Sequence, residues 1–172
     1  MTVSEAIRAR RSIRKFKPGA EVTDEQIKLM LEAAMLAPSA CNTRPWEFIV
    51  IRDREKLDQI RAIHPNTGML ETASLAIIVC ALPEAQDNYR DGLPRGYFPQ
   101  DCGAATQNIL LQAVELGLGA CWCGVYPKED RILDIRNILN TNKKPFCVIA
   151  VGVPDENPEP RGFYEESKVT YV

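Results

Sequence analysis

The sequence predicts an α+β fold in which helices form a sandwich around a central mixed β-sheet. Two stretches, residues 74–82 and 145–153, have the near-continuous hydrophobicity of strands that are covered on both faces. Amphipathic helical patterns lie between the strands, but the last part of the chain departs from a regular βαβ order. We expect one domain over residues 1–172, because a chain of this length that is 45% hydrophobic can build one core and is short for two.

Charge and hydropathy narrow the classes of partner. The formal net charge of -2 at pH 7 gives no electrostatic footprint for nucleic acid, so we expect no nucleic-acid partner. The opening residues MTVSEAIRARR lack the apolar run of a signal peptide, and no segment has the length needed to cross a bilayer. We therefore expect a cytoplasmic protein with no membrane partner.

Cysteine and histidine usage limits the chemistry. The six cysteines are scattered, and several lie in apolar runs, where free cysteine behaves as a small hydrophobe rather than as part of a disulfide framework. Cys121 and Cys123 would point both sulfurs to one face of a strand; metal binding stays open there, but packing is favoured and we expect no metal. His64 is the one histidine, which removes much hydrolytic chemistry.

The N-terminal residues combine a short helix with a cluster of positive charge. Residues 3–10 predict the helix, and in RARRSIRKF the alternation of Ser12 and Arg14 with Ile13 and Phe16 predicts an extended segment. Guanidinium groups bind phosphate oxygens bidentately and a hydroxyl can donate to a third oxygen, so this face suits a phosphate. A solvated basic turn is the alternative.

A capped helix leads into a loop of polar residues. Thr23 and Gln26 have the spacing of a capping box, and a buried stripe continues to Ala34. Pro38 ends the helical pattern, and residues 46–51 restart as a strand. The intervening loop offers short donors and acceptors on a backbone that two prolines restrain, which suits a planar polar ligand; an ordinary helix-to-strand loop is the alternative.

The remaining elements follow in order. A helix begins after Asp53 and ends at HPNTGM, and residues 83–99 are so rich in proline and glycine that we expect an irregular excursion, either a substrate cover or a connection. The helix predicted from Gln100 is apolar on nearly all sides, which favours a subunit interface. A strand at ACWCGVY, a helix over residues 128–139 and the strand at 145–153 come next, and the terminal KVTYV is typical of one further strand.

Four motifs occur in a fixed order along the chain: RRSIRKF, APSACNTRPWEF, GLGACWCG and PEPRG. In this order they resemble the nitroreductase family of FMN-dependent oxidoreductases. No G-x-G-x-x-G follows the first strand, which argues against a Rossmann dinucleotide site. The resemblance runs from Ala6 to the C terminus. It implies an α+β homodimer with FMN at the interface, each site built from both chains, and a C-terminal strand or extension that crosses to the partner chain.

Matching the motifs residue by residue implies a set of cofactor contacts. Arg14 would lie near the pyrimidine edge of the flavin, where a cation stabilises negative charge at N1 and O2. Asn66 stands in the region where some relatives place a lysine. Pro38, Ser39 and Asn42, in the loop before the first strand, would reach the flavin from the partner chain. Backbone amides near Gly124 would face N5. The implied cofactor-binding residues are Arg10, Arg11, Ser12, Arg14, Pro38, Ser39, Asn42, Asn66, Cys121, Trp122, Cys123, Gly124 and Arg161.

The implied activity is transfer of two electrons, as hydride, from NAD(P)H through bound FMN to a small acceptor such as a nitroaromatic, quinone or enone, with ping-pong kinetics. The reactive atom is flavin N5, so no catalytic side chain is expected. Two alternatives stay open. One is a flavin-binding or carrier protein without NAD(P)H turnover, and the other is a structural or regulatory dimer that uses the basic turn for an anionic partner.

Overall fold

The computed structural model describes residues 1–86 and 96–172 and confirms the α+β fold. The described helices are α1 (Val3–Ala9), α2 (Asp24–Met35), α3 (Arg54–Ile63), α4 (Phe98–Glu115) and α5 (Glu129–Leu139). The strands are β1 (Trp46–Ile51), β2 (Leu75–Ala81), β3 (Gly119–Gly124) and β4 (Lys144–Gly152).

The four strands form one open sheet in the order β1-β2-β4-β3, and each neighbouring pair is antiparallel. Every residue of β2 is buried, and β4 is buried after its first residue, as their near-continuous hydrophobicity predicts. Within the described residues, the parallel component expected of a mixed sheet is confined to an isolated bridge between Ser12 and Ala120. This bridge brings the basic N-terminal segment to the β3 edge.

Helices cover both faces of the sheet. On one face α2 and α4 pack through residues such as Met30 and Ile109, which are fully buried. On the other face α3 and α5 pack through Ile60 and Ile135, together with Ile13 and Phe16 from the segment after α1. The sheet is therefore the middle layer of three.

Local sequence signals explain where most helices begin. The side chain of Thr23 accepts from the Gln26 amide, and the Gln26 side chain accepts from the Thr23 amide, which completes the predicted capping box. Asp53 caps α3 in a similar way by accepting from the amides of Glu55 and Lys56. α4 begins at Phe98, earlier than the predicted Gln100. Pro99 is compatible with this earlier start, because in the first turn its missing N–H costs no helical hydrogen bond.

The C-terminal residues and the segment predicted as an irregular excursion differ in part from what the sequence predicts. KVTYV is an extension rather than a further strand: its backbone is extended at Val169, but it pairs with no strand in the described part of the chain. The predicted excursion over residues 83–99 begins with a 3-10 turn, Pro83–Gln86, and residues 87–95 lie outside the described residues. Across residues 1–86 and 96–172, no helix has the length and hydropathy that would let it cross a membrane.

Candidate functional site

The basic segment after α1 lies flat against the sheet because two glycines leave room for it. The Ile13 amide donates to the Ala120 carbonyl at 3.0 Å, and a Cβ added at Gly119 would lie 2.9 Å from the Ile13 side chain. A Cβ added at Gly152 would likewise lie 2.9 Å from the ring of Phe16. With Ile13 buried, the alternation of an extended chain turns its neighbours Ser12 and Arg14 to the opposite side.

A second chain segment fixes the backbone of this basic stretch. The carboxylate of Glu156 accepts from the amides of Arg14 and Lys15, and the Asp155 amide donates to the Lys15 carbonyl at 2.9 Å. The Lys17 amide donates to the Val153 carbonyl, also at 2.9 Å. Residues 153–156 therefore run antiparallel to residues 14–17 and hold Arg14 in place.

Arg11 ties the C-terminal segment to the basic cluster. Its Nε donates to the Pro158 carbonyl at 3.1 Å, and its Nη1 donates to the carbonyls of Arg8 and Arg10. These bonds place residues 158–162, including Arg161, opposite the end of α1. Arg11 is thus a brace for the site as well as a source of positive charge.

Together these segments enclose a cavity of about 570 Å³, which we call the basic cavity. Five of its lining side chains are arginines, and one hydroxyl and one carboxylate join them. The lining residues are Ile7, Arg8, Arg10, Arg11, Ser12, Arg14, Pro158, Glu159, Pro160, Arg161 and Gly162. The structure therefore brings the basic cluster after α1 together with Arg161, a further residue of the implied cofactor-binding set from a distant part of the sequence.

An adjoining cavity of about 480 Å³, the strand-end cavity, shares Arg14 with the basic cavity. It is lined by Arg14, Pro65, Asn66, Gly68, Met69, Cys121, Trp122, Cys123 and Gly124. Cys121 and Cys123 are buried and Trp122 is partly exposed, which is the alternation that a strand predicts. The Cys123 thiol donates to the Asn66 carbonyl at 3.1 Å and so joins the two walls of this cavity.

His64 lies behind the strand-end cavity, at the C-terminal end of α3. Its side chain is fully buried, with Nε2 2.8 Å from the Gly124 carbonyl oxygen. Burial is the main cause that lowers the imidazole pKa below its ordinary value, although the bond to Gly124 opposes this shift. The one available signal was a lone histidine at the C-terminal end of a helix, which carries no information on its partner.

The loop between α2 and β1 lies apart from both cavities in a single chain. Cys41, Asn42 and Arg44 have positive φ angles of 55°, 54° and 50°, and the Ser39 hydroxyl accepts from the Arg44 amide at 2.9 Å. None of the loop residues expected to contact flavin, namely Pro38, Ser39 and Asn42, lines either cavity. The expectation that they serve the partner chain's site stays a prediction.

Asp101 holds this loop in place, a role that the sequence did not predict. It is buried in the first turn of α4, where Oδ1 accepts from the Ala40 amide and Oδ2 accepts from the Gln86 side chain, both at 3.0 Å. Burial raises the pKa of this carboxyl, and the two hydrogen bonds oppose the rise. An acidic residue in the first turn of an apolar helix was the available signal, but helix-dipole stabilisation explains such a residue equally well.

The family relationship agrees with this geometry. The model of the Nitroreductase family matches residues 7–65 and 64–153, and these matches include the basic segment, the loop and β3. The chain belongs to the nitroreductase family. The family expected from the four sequence motifs is thereby confirmed.

Individual relatives of this nitroreductase cover nearly the whole chain. A Methanothermobacter thermautotrophicus protein, provisionally named an NADH dehydrogenase/NAD(P)H nitroreductase, is 47% identical over 98% of this chain and 86% of the relative. A Bacteroides thetaiotaomicron crystal structure with the same provisional name is 41% identical, with a TM-score of 0.88, and covers 98% of this chain and 96% of that one. An FMN-dependent nitroreductase from Clostridium difficile is 33% identical, with a TM-score of 0.82 and 96% of each chain covered.

The electrostatics of the nitroreductase site favour an anionic ligand. The pKa of the buried Cys121 thiol is lowered, first by its coupling to the neighbouring Cys123 thiol and then by the positive charges of Arg14 and Arg10. Burial and Glu156 oppose this shift. Arg14, which lines both cavities, and Arg10 therefore place positive charge near the floor of the strand-end cavity, which would stabilise negative charge on a ligand placed across both.

Proposed function

We propose that this nitroreductase binds FMN across the two cavities and passes an electron pair from NAD(P)H to a small acceptor such as a nitroaromatic, a quinone or an enone. The observation that carries the proposal is that Arg14 lines both cavities, so one elongated ligand can occupy them together. Membership of the family and the FMN-dependent relative from Clostridium difficile support the choice of cofactor.

The donor set of the basic cavity fits the phosphate end of FMN. The guanidinium groups of Arg10 and Arg161 can form bidentate bonds to phosphate oxygens, and the Ser12 hydroxyl can donate to a further oxygen. Glu159 is the one carboxylate in the lining, so the balance of charge remains strongly positive. Each cavity has a volume within the range of about 300–1,000 Å³ that is usual for small-ligand sites.

The strand-end cavity would hold the ring system. Bound FMN would supply two-electron chemistry at N5, with NAD(P)H as donor. Arg14 provides a fixed cation for the negative charge that develops at the pyrimidine edge, and the backbone of Cys123 and Gly124 provides polar groups on the opposite wall. No acid or nucleophile from the chain is required, because a solvent proton can complete the transfer. If donor and acceptor occupy the same space in turn, the kinetics are ping-pong.

We further propose that the active form is a homodimer with each FMN between two chains. The loop carrying Ser39 and Asn42 lies outside both cavities of its own chain, although Asp101 holds it in a defined conformation. The C-terminal extension exposes large aromatic side chains, with Phe163 80% and Tyr171 86% exposed. Both features are explained if loop and extension contact a second copy of the chain.

Spectroscopy and kinetics of the purified protein test the proposal. The protein should bind FMN stoichiometrically, NADH or NADPH should bleach the bound flavin under anaerobic conditions, and an added nitroaromatic or quinone should restore its colour. Double-reciprocal plots at several acceptor concentrations should be parallel. A protein that binds FMN but stays oxidised with both nucleotides would instead be a flavin carrier, and one that binds no FMN would contradict both flavin functions.

A matched pair of variants tests the role of Arg14 in this scheme. Arg14→Gln removes the cation shared by the two cavities, and we expect at least a tenfold slower reduction of the flavin by NAD(P)H. Lys15→Gln removes an equal charge from the neighbouring residue, whose side chain lines neither cavity, and should behave as the wild type. Equal rates in the two variants would show that Arg14 acts only through bulk charge.

A further inference from the structure

Hydrogen bonds join the turn after α3 to the end of β3 on both sides of the His64 ring. His64 Nε2 lies 2.8 Å from the Gly124 carbonyl oxygen, and the Asn66 amide donates to Nδ1 at 3.3 Å. The Thr67 hydroxyl donates to the His64 carbonyl at 2.7 Å, and the Cys123 thiol donates to the Asn66 carbonyl. Asn66 and Gly124 both line the strand-end cavity, so this network forms the back of its wall.

The chemistry of the two ring partners permits one form of the imidazole. A carbonyl oxygen can only accept, so Nε2 must carry a hydrogen toward Gly124. A backbone amide can only donate, so Nδ1 must be without a hydrogen where it meets Asn66. A protonated ring would set two donors against each other at Nδ1 and break that side of the network.

Burial and charge act in the same direction as this geometry. The His64 side chain has no exposed surface, and the positive charge of Arg131 on α5 adds to the desolvation that disfavours imidazolium. On the β3 side, Cys121 and Cys123 line the cavity beyond Gly124, and Arg14 supplies a further positive charge there. The surroundings therefore keep the ring neutral rather than charged at neutral pH.

We propose that His64 is a positioning residue whose neutral Nε2–H imidazole holds the backbones of Asn66 and Gly124 at the spacing that the flavin ring requires. This role rests on the proposed function, because the wall it orders is the one assigned to the ring system. It makes flavin binding sensitive to acid, since protonation of the buried ring breaks its hydrogen bond with the Asn66 amide and so loosens the wall on that side. The reactive atoms are not in contact with His64, so it acts through the two backbones.

The tautomer can be observed directly, without FMN or turnover. His64 is the one histidine in the sequence, so protein labelled with ¹⁵N-histidine gives a single imidazole signal that needs no assignment. Long-range ¹H–¹⁵N spectra should show a neutral ring protonated on Nε2 from pH 7.5 to well below 6.5. A mixture of tautomers, or a midpoint at or above 6.5, would overturn the proposal.

Two variants connect the ring to flavin binding. His64→Gln keeps a donor that can reach Gly124, whereas His64→Phe keeps the planar shape and loses both hydrogen bonds. At pH 7.5 we expect about tenfold weaker FMN binding for His64→Phe, equivalent to about 1.4 kcal/mol, and a change of less than about threefold for His64→Gln. Wild-type affinity in folded His64→Phe would overturn the proposal.

The pH profile separates positioning from a general loss of stability. Below the imidazole pKa the wild type should lose FMN affinity more steeply than His64→Gln, which has no titrating ring. The phosphate of FMN titrates in both proteins alike, so the difference between the two profiles isolates His64. Coincident profiles would overturn the inference, even if His64→Phe fails to fold. Wild-type protein that binds no FMN at any pH would instead overturn the proposed function, and the positioning role with it.

Discussion

Arg11 shows how one side chain can act on a ligand site through the backbone. Its Nε and Nη1 atoms donate to three carbonyls, one of which, Pro158, belongs to the segment that carries Arg161. Arg11→Ala should therefore weaken FMN binding mainly by releasing Arg161, and Arg161→Ala should cost about 1.5–3 kcal/mol as the loss of a charge-assisted hydrogen bond.

A double-mutant cycle checks this division of roles. If Arg11 acts by placing Arg161, its removal from the Arg161→Ala background should change FMN affinity little, so that the two effects are strongly non-additive. Additive losses would mean that Arg11 contacts the phosphate independently. Riboflavin lacks the phosphate and serves as the control ligand, because its affinity should respond weakly to Arg161→Ala.

His64 also makes a prediction about stability. Its pKa in the folded state lies below the ordinary 6.5, so the unfolded chain takes up the proton first as the pH falls. The stability from the neutral ring is present above pH 6.5 and is lost as the pH drops from there toward the folded pKa. Urea unfolding at pH 7.5 and 5.5 should show a larger loss of free energy for the wild type than for His64→Gln, by at most about 1.4 kcal/mol per pH unit.

The contact between α4 and the α2–β1 loop depends on the hydrogen bonds of Asp101 rather than on its charge. Asp101→Asn can still accept from the Ala40 amide, and its new NH₂ can donate to Gln86 Oε1 once the Gln86 amide rotates; this buried oxygen has no partner among the described residues. We expect this variant to keep wild-type stability. Asp101→Leu leaves two donors unsatisfied and should lose about 1–3 kcal/mol for each.

Thermal or urea unfolding of the two Asp101 variants measures the difference. Because burial raises the Asp101 pKa above its ordinary 3.8, the wild-type carboxyl is most favourable to folding at low pH, and its contribution declines as the pH rises through the folded pKa. Asp101→Asn should therefore remove this part of the pH dependence. Equal losses of stability in both variants would show that the carboxylate charge itself holds the loop.

The elements that could be predicted from the sequence are those with local causes. The Thr23–Gln26 capping box and the Asp53 cap each mark the start of a helix, and β1 occupies the predicted residues 46–51. The antiparallel strand order was not predicted, because it depends on pairing between distant segments. KVTYV has strand-like composition but finds no partner strand in the described chain, since composition does not supply a neighbour.

The residues of the candidate site likewise separate into those that a local sequence pattern predicts and those whose contacts join distant parts of the chain. The cluster from Arg10 to Arg14 is contiguous in sequence, and its positive charge was sufficient to indicate a phosphate site. The bonds from Arg11 to Pro158 and from His64 to Gly124 span 147 and 60 positions, so no local pattern could reveal them. Roles that depend on such contacts, such as the bracing by Arg11 and the positioning role proposed for His64, can be inferred only from the folded structure.

At the scale of the whole molecule, the proposed dimer makes the flavin site a property of two chains. The arginines of the basic cavity would come from one chain and Asn42 from the other, since Asn42 lies outside both cavities of its own chain. Arg161→Ala and Asn42→Ala should then each weaken both sites of a homodimer. A heterodimer of the two variants should contain one site with both defects and one intact site.

This arrangement can be tested with heterodimers purified through two different affinity tags. Titration should give one FMN per heterodimer bound with wild-type affinity, while either variant homodimer binds none that tightly. If Arg161 and Asn42 serve the same chain's site, every site in the heterodimer carries one defect and no tight binding appears. Light scattering of each sample fixes the stoichiometry, and a monomeric wild type would contradict the shared site outright. Recovery of a single tight site requires that the loop and the basic cavity meet across the interface, because neither variant chain contains both in intact form.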